Sequence, residues 1–228
     1  MSSKITIIGA GSVGSTIAYT LSSQDIASEL VLIDINKKKA EGEVLDIIQG
    51  TCFRDPISII AGDYEDAKDS DIVIITSGIA RKPGQTRLEL TQTNVNILKS
   101  ITPEIVKAAP NAIYLIVSNP VDIMTYVFGE HGDTSFIPWT GAYISGVSVD
   151  EYYELEKKLG KDIEPIDKEA MLQYVQKSGG EIISKKGATF YAVSSSVCKL
   201  CSLLVSSSES ISTVSTMMHG EYGIEDVC

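Results

Sequence analysis

His131 lies in the run Gly129-Glu130-His131-Gly132-Asp133. Imidazole changes charge nearer neutral pH than any other unperturbed side chain. A glycine-rich setting between carboxylates suits a general acid/base held on a loop, and it suits a solvated loop histidine equally well. A second group able to do chemistry is Gly9-Ala10-Gly11-Ser12-Val13-Gly14, set between an apolar run at 5–8 and a helical pattern. There the first glycine permits a tight turn, the second lets the backbone approach a pyrophosphate, and the third lets helix pack closely on strand. The helix N-terminus favours the phosphate charge. Asp34 follows Gly14 by 20 residues and closes the second apolar run. Its carboxylate can accept both ribose hydroxyls and would repel a 2′-phosphate, and Ile35 supplies no compensating arginine. The pattern predicts NAD rather than NADP. The plainer alternative is a glycine turn and a strand-end aspartate without a ligand.

The elements that must hold these residues are readable in outline. β-Branched runs at 5–8, 30–33, 57–60, 72–76 and 113–117 alternate with helical stretches near 12–24, 37–49 and 88–108. Continuous apolar strands separated by helices imply a parallel sheet buried on both faces, hence a doubly wound α/β class. After Asp133 the pattern changes. Ser148-Val149-Asp150-Glu151 has the form of a capping box opening a helix to about Leu159, with Gly160 as its stop. A second helix is expected at 167–186, interrupted by Gly179-Gly180, and a third after Gly187. The runs 211–218 and 222–228 suggest an antiparallel hairpin. Residues 194–215 contain ten serines, an odd density for a helix expected to be buried.

With 228 residues the chain can form one large domain or two small ones. Its net charge of −11 and lack of a long basic run argue against nucleic acid and anionic membranes as partners. No apolar stretch approaches the roughly 20 residues needed to span a bilayer. Four cysteines are too few for a disulfide framework, and the lone Cys198-Lys199-Leu200-Cys201 reads as two small side chains on one helix face rather than a metal or redox site. A cytoplasmic location is expected.

Further motifs widen the reading. Arg81-Lys82-Pro83-Gly84-Gln85-Thr86-Arg87, Ser118-Asn119-Pro120-Val121-Asp122, Gly129 to Thr134 and Gly187-Ala188-Thr189 occur in order. Together with the glycine turn they resemble the L-lactate/malate dehydrogenase family, over nearly the whole chain. Glu130, Thr189-Phe190-Tyr191 and Gly220-Glu221-Tyr222-Gly223 look like its lactate branch. The resemblance implies a Rossmann-type domain over 1–122 and a substrate domain over 129–228. It implies NAD as cofactor, pyruvate/lactate as substrate in fermentative carbohydrate metabolism, and a homo-oligomer. It implies that His131 donates a proton to the pyruvate carbonyl, while Arg87, on a mobile loop, polarises that carbonyl. Asn119 would lie near both nicotinamide ribose and substrate, with Asp122 and Thr189 at the substrate. Val13, Lys39, Tyr64, Gly78, Ile79, Ser100 and Val117 would join Gly9, Gly11, Gly14 and Asp34 along the cofactor cleft. Lys39 and Tyr64 could equally be ordinary surface residues.

The chain departs from the family pattern in three places. Arg81 stands where lactate enzymes commonly carry glutamine and malate enzymes arginine, and a guanidinium suits a second carboxylate. Only residues 123–128 separate Asp122 from Gly129, where the family has a sixth strand, a helix, an aspartate that orients the histidine and an arginine that grips the substrate carboxylate. The chain's three arginines are Arg54, Arg81 and Arg87, so none follows the loop to replace that clamp. The C-terminus is expected to lack a final strand and helix, leaving apolar surface open. Three readings follow: a working 2-hydroxyacid dehydrogenase, a non-catalytic dinucleotide binder, and the product of an in-frame deletion.

Overall fold

The computed structural model describes residues 3–53, 55–79, 87–117, 135–144, 146–161, 163–206, 209–210, 212 and 214–225, with the side chains of 53 and 87–91 excepted. The chain divides into two compact units, Met1–Val121 with Phe190–Ile211, and Asp122–Thr189 with Ser212–Cys228.

In the first unit, strands β1 (Lys4–Ile8), β2 (Glu29–Ile33), β3 (Ser58–Ala61), β4 (Ile72–Ile75) and β5 (Ile113–Ile116) form one sheet in the order β3-β2-β1-β4-β5. Every pairing is parallel, with Ile5 opposite both Leu30 and Ile72. Side chains alternate across the sheet, so each apolar strand feeds two cores. Ile5, Ile7, Leu30, Leu32, Ile72 and Ile74 enter one, beneath helices α1 (Ser12–Ser23) and α2 (Lys37–Gln49). Ile8, Val31, Ile33, Val73 and Ile75 enter the other, with Ile101 and Ile105 of helix α3 (Arg87–Ala108). This is the predicted doubly wound class. Arg87 is the first residue of α3 rather than part of a loop.

β5 forms one edge of the sheet among the described residues. Ile113 and Ile116 there remain 47% and 57% exposed, whereas every residue of β4 is buried. No sixth strand covers that edge among the described residues, which do not include 118–134. The third expected helix is α6 (Tyr191–Val205), and it packs on α1 within this first unit.

The second unit holds a two-stranded ribbon, β6 (Tyr143–Ile144) and β7 (Val147–Ser148), then helices α4 (Val149–Lys158) and α5 (Lys168–Lys186). The ribbon was not foreseen, although Ser145-Gly146 between apolar pairs is a turn signal, and Gly146 takes φ +84°. Half of the expected capping box forms: the Ser148 Oγ accepts from the Glu151 N–H, while the Glu151 carboxylate accepts from the Ser148 hydroxyl in place of the backbone N–H that would complete it. Asp167 caps α5, and the helix runs unbroken through Gly179-Gly180 to a left-handed Gly187 at φ +85°. Val149 is the one fully buried hydrophobic side chain among the described residues of this unit.

Among the described residues the expected C-terminal hairpin is reduced to one bridge. Residues 214–218 carry no strand, and a single antiparallel bridge joins His219 to Glu225 around a 3₁₀ turn at Glu221–Gly223. An isolated two-stranded ribbon is marginal in water. Val214 and Met217 are 52% and 47% exposed, so neither packs on anything that would hold such a ribbon.

Candidate dinucleotide site

The sheet order reverses between β1 and β4, and in parallel α/β sheets the crevice at the carboxyl ends of such strands is where ligands bind. The glycine turn follows β1 and Thr76-Ser77-Gly78-Ile79 follows β4, so both lie at that crevice. Each of the three glycines has a distinct reason. Gly9 sits at φ +112°, and a Cβ there would meet the Thr76 Oγ1 at 2.7 Å. At Gly14 a Cβ would overlap the Gly9 carbonyl oxygen, so glycine alone lets α1 approach so closely. Gly11 has nothing within 4 Å of its missing Cβ. That space borders the N-terminus of α1, whose first N–H groups have no partner inside the helix. The first turn carries no acidic residue to repel an anion.

Asp34 directly follows β2. Its Oδ2 accepts the Ala10 N–H at 2.7 Å and its Oδ1 the Asn36 N–H at 2.8 Å, tying it to the glycine turn. Each carboxylate oxygen has further acceptor capacity, so the residue can brace the turn and still receive hydroxyl donors. Thr76 donates to the Gly9 carbonyl at 3.0 Å and Ser77 to that of Ile8, also at 3.0 Å. Asn94, 2% exposed, accepts the Ile79 N–H at 2.9 Å. These three bracing residues were not foreseen. A hydroxyl pair ending a buried strand beside a glycine turn is the signal that could have found Thr76 and Ser77.

The other sequence-predicted cofactor residues are more dispersed. Val13 lies in the first turn of α1, Gly78 and Ile79 follow β4, and half-buried Val117 follows β5. Lys39 is exposed in the first turn of α2. Half-buried Tyr64 has its phenol pushed above the ordinary value by burial and by the Glu104 carboxylate. Ser100 is exposed on α3, its hydroxyl donating to the Ile97 carbonyl. Thr189 is exposed between α5 and α6. Arg81, Asn119, Asp122 and His131 lie outside the described residues, as does the side chain of Arg87. The CxxC pair is free and fully buried at Cys198 and Cys201, and burial pushes each thiol up to about 12.

A parallel sheet with a glycine turn and an acceptor carboxylate at its switch point defines a nucleotide-binding α/β protein of the Rossmann type. Comparison with known proteins then fixes the family. Residues 3–136 match the model of the lactate/malate dehydrogenase NAD binding domain, and 116–228 that of the family's alpha/beta C-terminal domain. L-lactate dehydrogenase 1 of Clostridium acetobutylicum is 40% identical, the match covering 98% of this chain and 84% of that protein. L-lactate dehydrogenase of Clostridium perfringens is 39% identical, over 98% and 83%. The crystal structure of minor L-lactate dehydrogenase from Enterococcus mundtii, in a ligands-bound form, superposes with a TM-score of 0.89 at 32% identity, over 99% of this chain and 85% of that one. The chain belongs to the lactate/malate dehydrogenase family. It is of the NAD-dependent L-lactate dehydrogenase lineage, with NAD as cofactor and a small molecule as substrate.

The comparison also shows a difference in length. The Clostridium acetobutylicum match runs over 268 positions, so at least 40 of them face gaps in a chain of 228 residues. The two family models overlap at 116–136, the stretch that joins Asp122 to Gly129. Among the described residues, no single helix is long and apolar enough to cross a membrane.

Proposed function

We propose that this chain binds NAD(H) in the crevice between β1 and β4 but reduces pyruvate only feebly. The observation that supports retained binding is the glycine turn, closed at Gly14 and open at Gly11. The first-turn N–H groups of α1 would take the pyrophosphate and Asp34 the adenosine ribose. Bound nicotinamide would supply the hydride. His131 would hand its proton to the carbonyl oxygen, Arg87 would stabilise charge developing there, Asn119 would lie near both the nicotinamide ribose and the substrate, and Asp122 and Thr189 would line the substrate. Impairment follows from composition, since no arginine follows Arg87 to grip the substrate carboxylate. Two charge-assisted hydrogen bonds at roughly 1.5–3 kcal/mol each correspond to about 10²–10⁴ in kcat/KM.

Arg81 supports a second substrate reading, oxaloacetate, because a guanidinium pairs with a second carboxylate. We further propose a homo-oligomer in the cytoplasm. α2 exposes Leu45 and Ile48 at 60% and 40% on an otherwise charged helix, and the described cysteines are free. The test is fluorescence titration with NADH beside absorbance assays with pyruvate and with oxaloacetate. Saturable NADH binding with turnover at least a hundredfold below the Clostridium enzymes is expected. Turnover equal to theirs would overturn the impairment, and a folded chain that leaves NADH unbound would overturn the binding.

A further inference from the structure

Helix α6 carries a run of three serines that behave differently. Ser195 and Ser196 each donate back to the carbonyl one turn earlier in their own helix, at 3.0 and 3.1 Å. Ser194 is fully buried and reaches across instead, its Oγ donating to the Val13 carbonyl of α1 at 3.3 Å. One turn further, the fully buried Cys198 Sγ meets the Ile17 carbonyl at 3.8 Å. Ser194 and Cys198 are four residues apart, as are Val13 and Ile17. Two successive rungs therefore join matching rows of the two helices.

We propose that Ser194 and Cys198 are positioning residues that set where the first turn of α1 presents its N–H groups to the pyrophosphate. The proposal rests on the binding mode given above. Apolar packing between helices is non-directional and tolerates small slides along the axis. Hydrogen bonds to consecutive carbonyls of one row do not. Val13 lies in the first turn, so the upper rung grips the helix within a residue or two of the amides that would meet the ligand. A buried hydroxyl is costly unless bonded, and an alanine would fill the Ser194 site, so packing alone does not explain the serine.

The test compares wild type, Ser194→Ala and Ser195→Ala by displacement of NADH fluorescence with ADP-ribose, which carries the pyrophosphate, and adenosine, which does not. Ser194→Ala is expected to weaken ADP-ribose by about three- to tenfold, the worth of one hydrogen bond, with adenosine affinity held within about twofold. Ser195→Ala, which removes a hydroxyl bonded only within α6, is expected to change neither. Equal weakening of both ligands, or of neither, would overturn the positioning role. A wild type that folds but leaves ADP-ribose unbound would overturn the binding mode itself. Should Ser194→Ala fail to fold, Cys198→Ala removes the other rung and is read in the same way.

Discussion

Gly11 and Gly14 stand three residues apart in the same turn, yet alanine at each should fail differently. At Gly14 the new Cβ would overlap the Gly9 carbonyl oxygen and lie 2.8 Å from the Thr76 Oγ1. Backbone and a bonded hydroxyl cannot swing aside, so α1 must move off β1. Overpacking of this kind costs about 1–3 kcal/mol. In a chain of this size each kcal/mol lowers Tm by roughly 2–4 °C, so the fall should be about 2–12 °C. At Gly11 the Cβ meets nothing within 4 Å and φ is an ordinary −73°, so the stability cost is only that of alanine as a poorer helix cap, about 1 kcal/mol or roughly 2–4 °C in Tm. The same Cβ would occupy the space a pyrophosphate needs. Losing one charge-assisted bond to phosphate, at about 1.5–3 kcal/mol, raises the NADH Kd roughly 10- to 150-fold. Thermal melts with NADH titration of both variants read the two effects separately. A Gly11→Ala protein that binds NADH as wild type does would refute the placement of the phosphate. A Gly14→Ala protein with unchanged Tm would refute the close packing of α1.

Two further outcomes follow from the same geometry. Asp34→Ser should weaken NADH and narrow its advantage over NADPH by about tenfold or more, since it removes the charge that repels a 2′-phosphate. It should also lower Tm, because Ala10 and Asn36 lose their acceptor, and an unchanged preference for NADH would count against the ribose role. Iodoacetamide at neutral pH should modify exposed Cys52 but spare Cys198 and Cys201 until denaturant is added. Because burial moves these two thiols from 9.0 to about 12, the unfolded chain ionises them first as pH rises. Their share of stability is thus complete below about pH 9 and lost toward pH 12. A urea midpoint that stays flat across that window, or rapid labelling of the native pair, would contradict it.

Local signals predicted local features well. Runs of β-branched residues placed all five sheet strands, because strands buried on both faces must be apolar throughout. Ser148 and Asp167 each announce a helix start through side-chain acceptors that the backbone then uses. Partnership at long range was less legible. Nothing in residues 191–205 alone says that this helix joins the first unit, because Ser194 finds its partner 181 positions away. The serine run 194–196 is accounted for there: Ser195 and Ser196 bond within α6, and the buried Ser194 bonds α1. The expected C-terminal hairpin is reduced to one bridge among the described residues because alternation supplies strand propensity but no neighbour to pair with. Of the site, the glycine turn and Asp34 were readable because their roles depend on backbone shape and charge. Thr76, Ser77 and Asn94 were not, because bracing a turn requires no fixed spacing.

The two units differ in a way that separates binding from turnover. The first has two apolar cores sealing a parallel sheet, and every element of the glycine turn is braced from within it. The second buries one hydrophobic side chain among its described residues. The strand nearest the junction, β5, is also the one whose isoleucines stand half exposed. A further parallel strand on that edge would need a crossover of a dozen or more residues, and residues 123–128 supply six. The match to the Clostridium acetobutylicum protein likewise leaves at least 40 aligned positions without a counterpart in this chain. On the function proposed above, a loss at this junction would remove the residues that orient His131 and hold the substrate carboxylate, while the hydroxyls and carboxylate that brace the pyrophosphate turn are in place. Dinucleotide affinity and catalytic rate would then be free to diverge in this chain.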